Sequence, residues 1–71
     1  MAEEVRAEMV ANIASVAVDV GDVVETGTTI VILESMKMEI PVLSEFAGTI
    51  TAVHVQAGDV VQEGDVIAEI G

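Results

Sequence analysis

The sequence predicts an all-β domain, a small sandwich or flattened barrel of eight short strands with internal pseudo-twofold symmetry. Three observations carry that expectation. The chain repeats itself after 37 residues, and glycine-containing turn signals recur at matching places in both halves. The apolar residues are mostly β-branched, with 21 Val and Ile against two Leu and one Phe. Such side chains are stiff at χ1 and pack well on a pleated surface. Nowhere is a helical run of apolar residues at i, i+3, i+4 and i+7 sustained.

A shift of 37 residues places Ile13 on Ile50, Val16 on Val53 and Val18 on Val55. It also places Gly21-Asp22-Val23-Val24 on Gly58-Asp59-Val60-Val61, Gly27 on Gly64 and Ile30 on Ile67. That makes nine identities between residues 13–34 and 50–71 without a gap. Two units are too few for a solenoid, so they are expected to pack on each other about a pseudo-twofold axis. In chain order, the first unit reads as a strand over 5–9 and a strand over 13–18. In the latter, Ile13, Ser15 and Ala17 share one side, and Ala14, Val16 and Val18 the other. A turn at 19–22 follows, because Gly21 permits the positive φ that tight turns need. Val23-Val24 is a very short strand, 25–28 turns again, and 29–34 is a strand. The second unit repeats this with strands over 39–43, 48–55, 60–61 and 66–70. Pro41 lacks an amide hydrogen, which implies an edge position or an unpaired amide in the fifth strand.

With 71 residues, the chain is read as a single domain over 1–71. A domain of that size buries only about 60% of its unfolded surface, so its core must be efficient. Two basic residues against thirteen acidic ones give a net charge of −11. Nothing here could neutralise a phosphate backbone, so nucleic acid is excluded as a partner. Docking on an anionic membrane is disfavoured for the same reason. Without cysteine, neither a disulfide nor a thiolate metal site is available. The longest aliphatic run, 30–33, is far too short to span a bilayer. The acidic first residues lack a signal-peptide pattern, so a soluble, cytoplasmic protein is expected.

The candidate for function is Lys37, the sole lysine. It stands in Glu34-Ser35-Met36-Lys37-Met38-Glu39, where unit one gives way to unit two. The symmetry maps this junction onto the place where the two chain ends meet. Lys37 is therefore expected on a tight hairpin at the pole opposite the termini, accessible on a rigid support. An isolated surface lysine among acids is ordinarily just a solubilising residue. Its uniqueness, its place in the repeat and its two flanking methionines argue for more. Methionines at an exposed tip either meet a partner or cap one end of the core.

This hexapeptide resembles the attachment motif of biotinyl domains, the carrier modules of biotin-dependent carboxylases, within the biotin/lipoyl attachment family. That family commonly has Glu-Ala-Met-Lys-Met or Glu-Ser-Met-Lys-Met there. The resemblance extends over the whole chain, repeat and paired Gly-Asp turns included. It is greatest to the free-standing single-domain forms of mycobacteria, since no leader and no protruding insertion interrupts the first unit. It implies a barrel-sandwich hybrid of two four-stranded antiparallel sheets. It also implies biotin held by an amide to Lys37, attached by a biotin protein ligase. The carrier would then move a carboxyl group between a biotin carboxylase and a carboxyltransferase. Met36 and Met38 would serve ligase or partner recognition, assisted by Glu34 and Glu39. The related lipoyl domains resemble Asp-Lys-Ala at this point, so the two methionines favour biotin over lipoate. A lipoyl carrier and an unmodified interaction module are the alternatives.

At neutral pH a lysine amine is almost entirely protonated, and carboxylates beside it favour that charge. The base that activates Lys37 is therefore expected from the ligase, which makes this chain a substrate and carrier rather than an enzyme. Other candidates are weak. His54, between Val53 and Val55, should point away from the face those two occupy, and a lone His is a poor metal site. Asp22, Asp59 and Asp65 follow turn glycines and read as turn chemistry.

Overall fold

Alternating apolar residues and regularly spaced turns give eight strands in the computed structural model, which describes residues 2–71. They are β1 (Glu3–Arg6), β2 (Ala11–Val16), β3 (Val23–Val24) and β4 (Thr29–Ser35). The second unit supplies β5 (Met38–Leu43), β6 (Gly48–Val53), β7 (Val60–Val61) and β8 (Val66–Ile70). Two four-stranded antiparallel sheets result, with orders β1-β8-β6-β3 and β5-β4-β2-β7. Exchanging each strand for its repeat equivalent (β1 with β5, β2 with β6, and so on) turns one order into the other. The expected symmetry is therefore present. The units are interleaved rather than packed as separate blocks, however, because each sheet takes two strands from each unit.

Reciprocal main-chain hydrogen bonds join the units. Gly21 N–H donates to Ile50 O at 2.8 Å, and Gly58 N–H donates to Ile13 O at 2.8 Å. Ile50 N–H donates to Asp22 O at 2.8 Å, and Ile13 N–H donates to Asp59 O at 2.7 Å. The turn of each half thus binds the strand of the other. Gly21 and Gly58 both have φ of 96°, a value that a side chain resists. The Asp side chains close the same turns. The Oδ2 atoms of Asp22, Asp59 and Asp65 accept from the amides of Asp19, Gln56 and Gln62 at 2.8–2.9 Å.

The core is built from repeat-related pairs. Ile13 and Ile50, Ile30 and Ile67, Leu33 and Ile70, and Val24 and Val61 are all buried. Truncating one such aliphatic residue to Ala typically costs ~2–5 kcal/mol, a large part of the ~5–15 kcal/mol that holds a domain together. Strict alternation along residues 13–18 does not hold. The β2–β4 register shifts between Ile13 and Ser15, so Ile13 is buried, Ala14 and Ser15 are exposed, and Val16 and Val18 turn inward. A β-bulge adds a residue and resets which side chains face the core. The same shift recurs between Ile50 and Ala52 in β6. The first strand runs over 3–6, not 5–9, because Ala7 leaves the ladder: its N–H donates to Asp65 O, and its carbonyl accepts from Gly64. Strands β2 and β6 likewise stop at Val16 and Val53, short of the expected 18 and 55.

Pro41 lies on the edge strand β5, as its missing donor requires. His54 is exposed between half-buried Val53 and Val55. Its Nε2 lies 2.7 Å from Glu69 Oε2 on the neighbouring strand. Among the described residues no helix is long and apolar enough to cross a membrane.

Two substitutions test the backbone argument. At Gly21 an added Cβ meets nothing within 4 Å, so Gly21→Ala carries a purely conformational cost of about 1 kcal/mol. At Gly48 a Cβ falls 2.7 Å from Ile70 Cγ2 and 2.9 Å from Gly71 O. Gly48→Ala is therefore expected to lower the melting temperature, followed by circular dichroism, further than Gly21→Ala does. A smaller loss at Gly48 would show that the sheet yields there without resistance.

Candidate functional site

The β4–β5 hairpin begins as an ordinary antiparallel ladder: Leu33 faces Ile40, Glu34 faces Glu39, and Ser35 faces Met38. Only Met36 and Lys37 remain to reverse the chain. A two-residue connection compatible with the right-handed twist of the strands needs positive φ at both central positions, which Asn-Gly ordinarily supplies. Here Met36 has φ of 53° and Lys37 has φ of 65°. They are the only non-glycine residues with positive φ among those described. Each L-residue in that conformation costs roughly 1–2 kcal/mol. Strain of this kind persists where the surrounding structure over-determines it, and it concentrates at functional positions.

The turn raises three side chains into solvent. Met36 is 91% exposed, Met38 is 62% exposed, and Lys37 is exposed between them. The methionines therefore do not cap the core. No hydrogen bond or ion pair engages the Lys37 amine among the described residues. The ion pairs there are Arg6 with Glu4 and His54 with Glu69. Ser35 is half-buried at the base of the turn.

Glu34 and Glu39 stand directly opposite one another on the rung below the tip, and both are exposed. Like charges paired across strands are destabilising. They place negative potential under the lysine without forming an ion pair to it. Chemically, the tip offers one solvated primary amine on a short, conformationally fixed support, flanked by two flexible apolar arms. All five residues singled out from the sequence, Glu34, Met36, Lys37, Met38 and Glu39, lie within this hairpin. The sequence reading missed the left-handed backbone and the opposition of the two glutamates. Ser35 and Met38 as a closing pair would have signalled both, because that register leaves only two residues for the turn. Among the described residues no cluster of His, Asp and Glu is arranged to hold a metal ion.

A family model described as biotin-requiring enzyme, covering biotin and lipoyl attachment domains, matches residues 3–70. The chain is 56% identical over 70 residues to a biotinylated protein TB7.3 homolog of Mycobacterium leprae, covering 99% of each chain. It is 44% identical over 63 residues to a biotin/lipoyl attachment protein of Bacillus subtilis, covering 89% of this chain and 86% of that one. In structure it resembles part of the urea carboxylase of Kluyveromyces lactis, with a TM-score of 0.93 and 32% identity. It also resembles part of a single-chain, multi-domain long-chain acyl-CoA carboxylase, with a TM-score of 0.88 and 29% identity. The matched regions cover 100% and 96% of this chain, but only 6% and 7% of those far longer polypeptides.

The strained turn makes a stability prediction. Lys37→Gly should raise stability by about 1 kcal/mol, which is roughly 4–8 °C in melting temperature for a domain of this size. Lys37→Arg should leave stability within about 0.5 kcal/mol of the parent, because an exposed tip adds little packing. A lower melting temperature for Lys37→Gly would mean that the turn is unstrained or that Lys37 has a packing role.

Proposed function

The chain belongs to the biotin/lipoyl attachment family, and from that membership we propose that it is a covalent biotin carrier whose attachment point is Lys37. One observation carries the assignment of the residue. The only lysine of the sequence stands at the exposed tip of a two-residue turn, without a pairing partner among the described residues and with a methionine on either side. The tip fits a tethered group well. An amide at Nζ would displace no hydrogen bond, and the arm would clear the body of the domain.

In the attachment step the Lys37 amine attacks the activated carboxyl of biotin held by a biotin protein ligase. A nitrogen–carbon bond forms, adenylate departs with its bonding electrons, and the ammonium proton passes to a base. No side chain of the described residues is paired with the Lys37 amine to take that proton, so the base is assigned to the ligase. Met36 and Met38 are assigned to ligase recognition, where their unbranched thioethers can fill irregular apolar contacts. Glu34 and Glu39 supply a negative base that a ligase of opposite charge would read.

Once bound, biotin supplies a ureido nitrogen able to accept and release a carboxyl group. The domain's part is then positional. The hairpin holds the root of the arm fixed while the lysine side chain sweeps, so each encounter with a partner site becomes effectively intramolecular. The proposed partners are the biotin carboxylase and carboxyltransferase of a biotin-dependent carboxylase system, with this chain as its non-catalytic carrier in the cytoplasm.

Co-expression with a biotin protein ligase should give a single avidin-captured adduct, absent in Lys37→Arg. Intact-mass analysis should read one biotinyl increment. A lipoyl increment would transfer the same architecture to acyl-group transfer. An unmodified parent protein would remove the carrier assignment altogether.

A further inference from the structure

The two sheets leave an open groove, of about 640 Å³, between their edge strands β1 and β5. These strands are repeat equivalents, so the pseudo-twofold axis crosses this side of the molecule. The floor is apolar. Val5 and Leu33 are buried beneath it, and Ile40, Val42 and Phe46 are half-buried along it. Met9 and Leu43 stand at its sides with 37% and 48% of their surface exposed. The symmetry equivalent of Leu43 is Arg6, so this apolar side chain is particular to the second unit and is not required by the fold.

The rim is acidic. Glu4, Glu8 and Glu45 border the groove, and all are exposed. The one cation there, Arg6, is already engaged: its guanidinium pairs with Glu4 and donates to Gly64 O at 2.6 Å. Glu8 and Glu45 therefore have no cationic partner among the described residues. A second copy of a chain with a net charge of −11 is a poor occupant, because like fields repel. An occupant complementary in both respects has apolar side chains for the floor and basic ones for the rim.

One end of the groove lies close to the attachment point, and Leu43 lies toward the other end, five residues beyond Met38 and about 17 Å along β5. Leu33 faces Ile40 two rungs from the Ser35–Met38 pair that closes the turn, which is about 7 Å along the strands. A protein that encloses the Lys37 amine in its own active site thus reaches the groove mouth. Of the proposed partners, the ligase is the one that the modification itself requires. We propose that this groove is a docking surface for the biotin protein ligase, filled by a ligase segment whose apolar side chains are flanked by lysine or arginine. The proposal rests on Lys37 being biotinylated and adds a second point of recognition away from the hairpin tip.

The test is steady-state biotinylation by a purified biotin protein ligase, with the carrier domain as the varied substrate. Leu43→Glu and Glu45→Lys each alter the groove at an exposed position without changing any residue of the hairpin tip at 34–39. Leu43→Glu should raise KM for the carrier about tenfold, equivalent to ~1.4 kcal/mol, while kcat stays within about twofold of the parent. Glu45→Lys should raise KM in the same direction, with a weaker dependence on salt than the parent shows. Val23→Glu, 81% exposed on β3, should behave as the parent does. Unchanged KM for both groove variants would overturn the docking surface while leaving the carrier assignment intact. Should Leu43→Glu fail to fold by circular dichroism, Glu45→Lys decides alone. A parent domain that acquires no biotin would refute both proposals together.

Discussion

The architecture depends on a reciprocal clamp. Gly21 and Gly58, held at the same positive φ, donate to Ile50 and Ile13 across the two halves. Because the turn of each half closes on a strand of the other, neither half can complete a sheet alone. The exchange of strands then brings Ile13, Ile50, Ile30 and Ile67 together as one buried set. A chain this short gains stability efficiently in this way, since each apolar element is covered by the partner half instead of by additional residues. The clamp requires glycine at the turns and bulges in β2 and β6, and both features occur twice at the same repeat spacing.

Symmetry also explains why one hairpin stands apart. Every strand of the first unit has a counterpart about 37 residues later, but the junction between units occurs once. Its counterpart would join the two chain ends, which here pair with each other as Glu3 opposite Ile70. The junction thus has no repeat partner whose packing it must match. It is also where the chain accepts two strained non-glycine residues, two exposed methionines and a like-charged cross-strand pair. None of these improves folding. Their concentration around a single solvated amine is the physical basis for the carrier proposal.

Much of this was legible in the sequence because it follows from periodicity. The repeat, the strand number, the edge position of Pro41, the outward direction of His54 and the turn role of Asp22, Asp59 and Asp65 all have local signatures. What was not legible depends on pairing between distant residues. The β2 bulge exposes Ala14 and Ser15 together, which no alternation along one strand reveals, because it is set by the register with Leu33 and Ile32. The early end of β1 likewise follows from Ala7 bonding to Gly64 and Asp65, more than fifty residues away. At the site, the hexapeptide singled out the candidate residues. Only the Ser35–Met38 register disclosed the backbone that presents them.

The central claim is that Lys37 alone bears the prosthetic group. The most direct measurement is tandem mass spectrometry of the protein isolated from its own cells, with fragmentation across residues 34–39. A biotinyl increment confined to the fragment ions that contain Lys37 is the expected result. Recovery of the protein with an unmodified Lys37, or with the increment on the N-terminal amine instead, would contradict it.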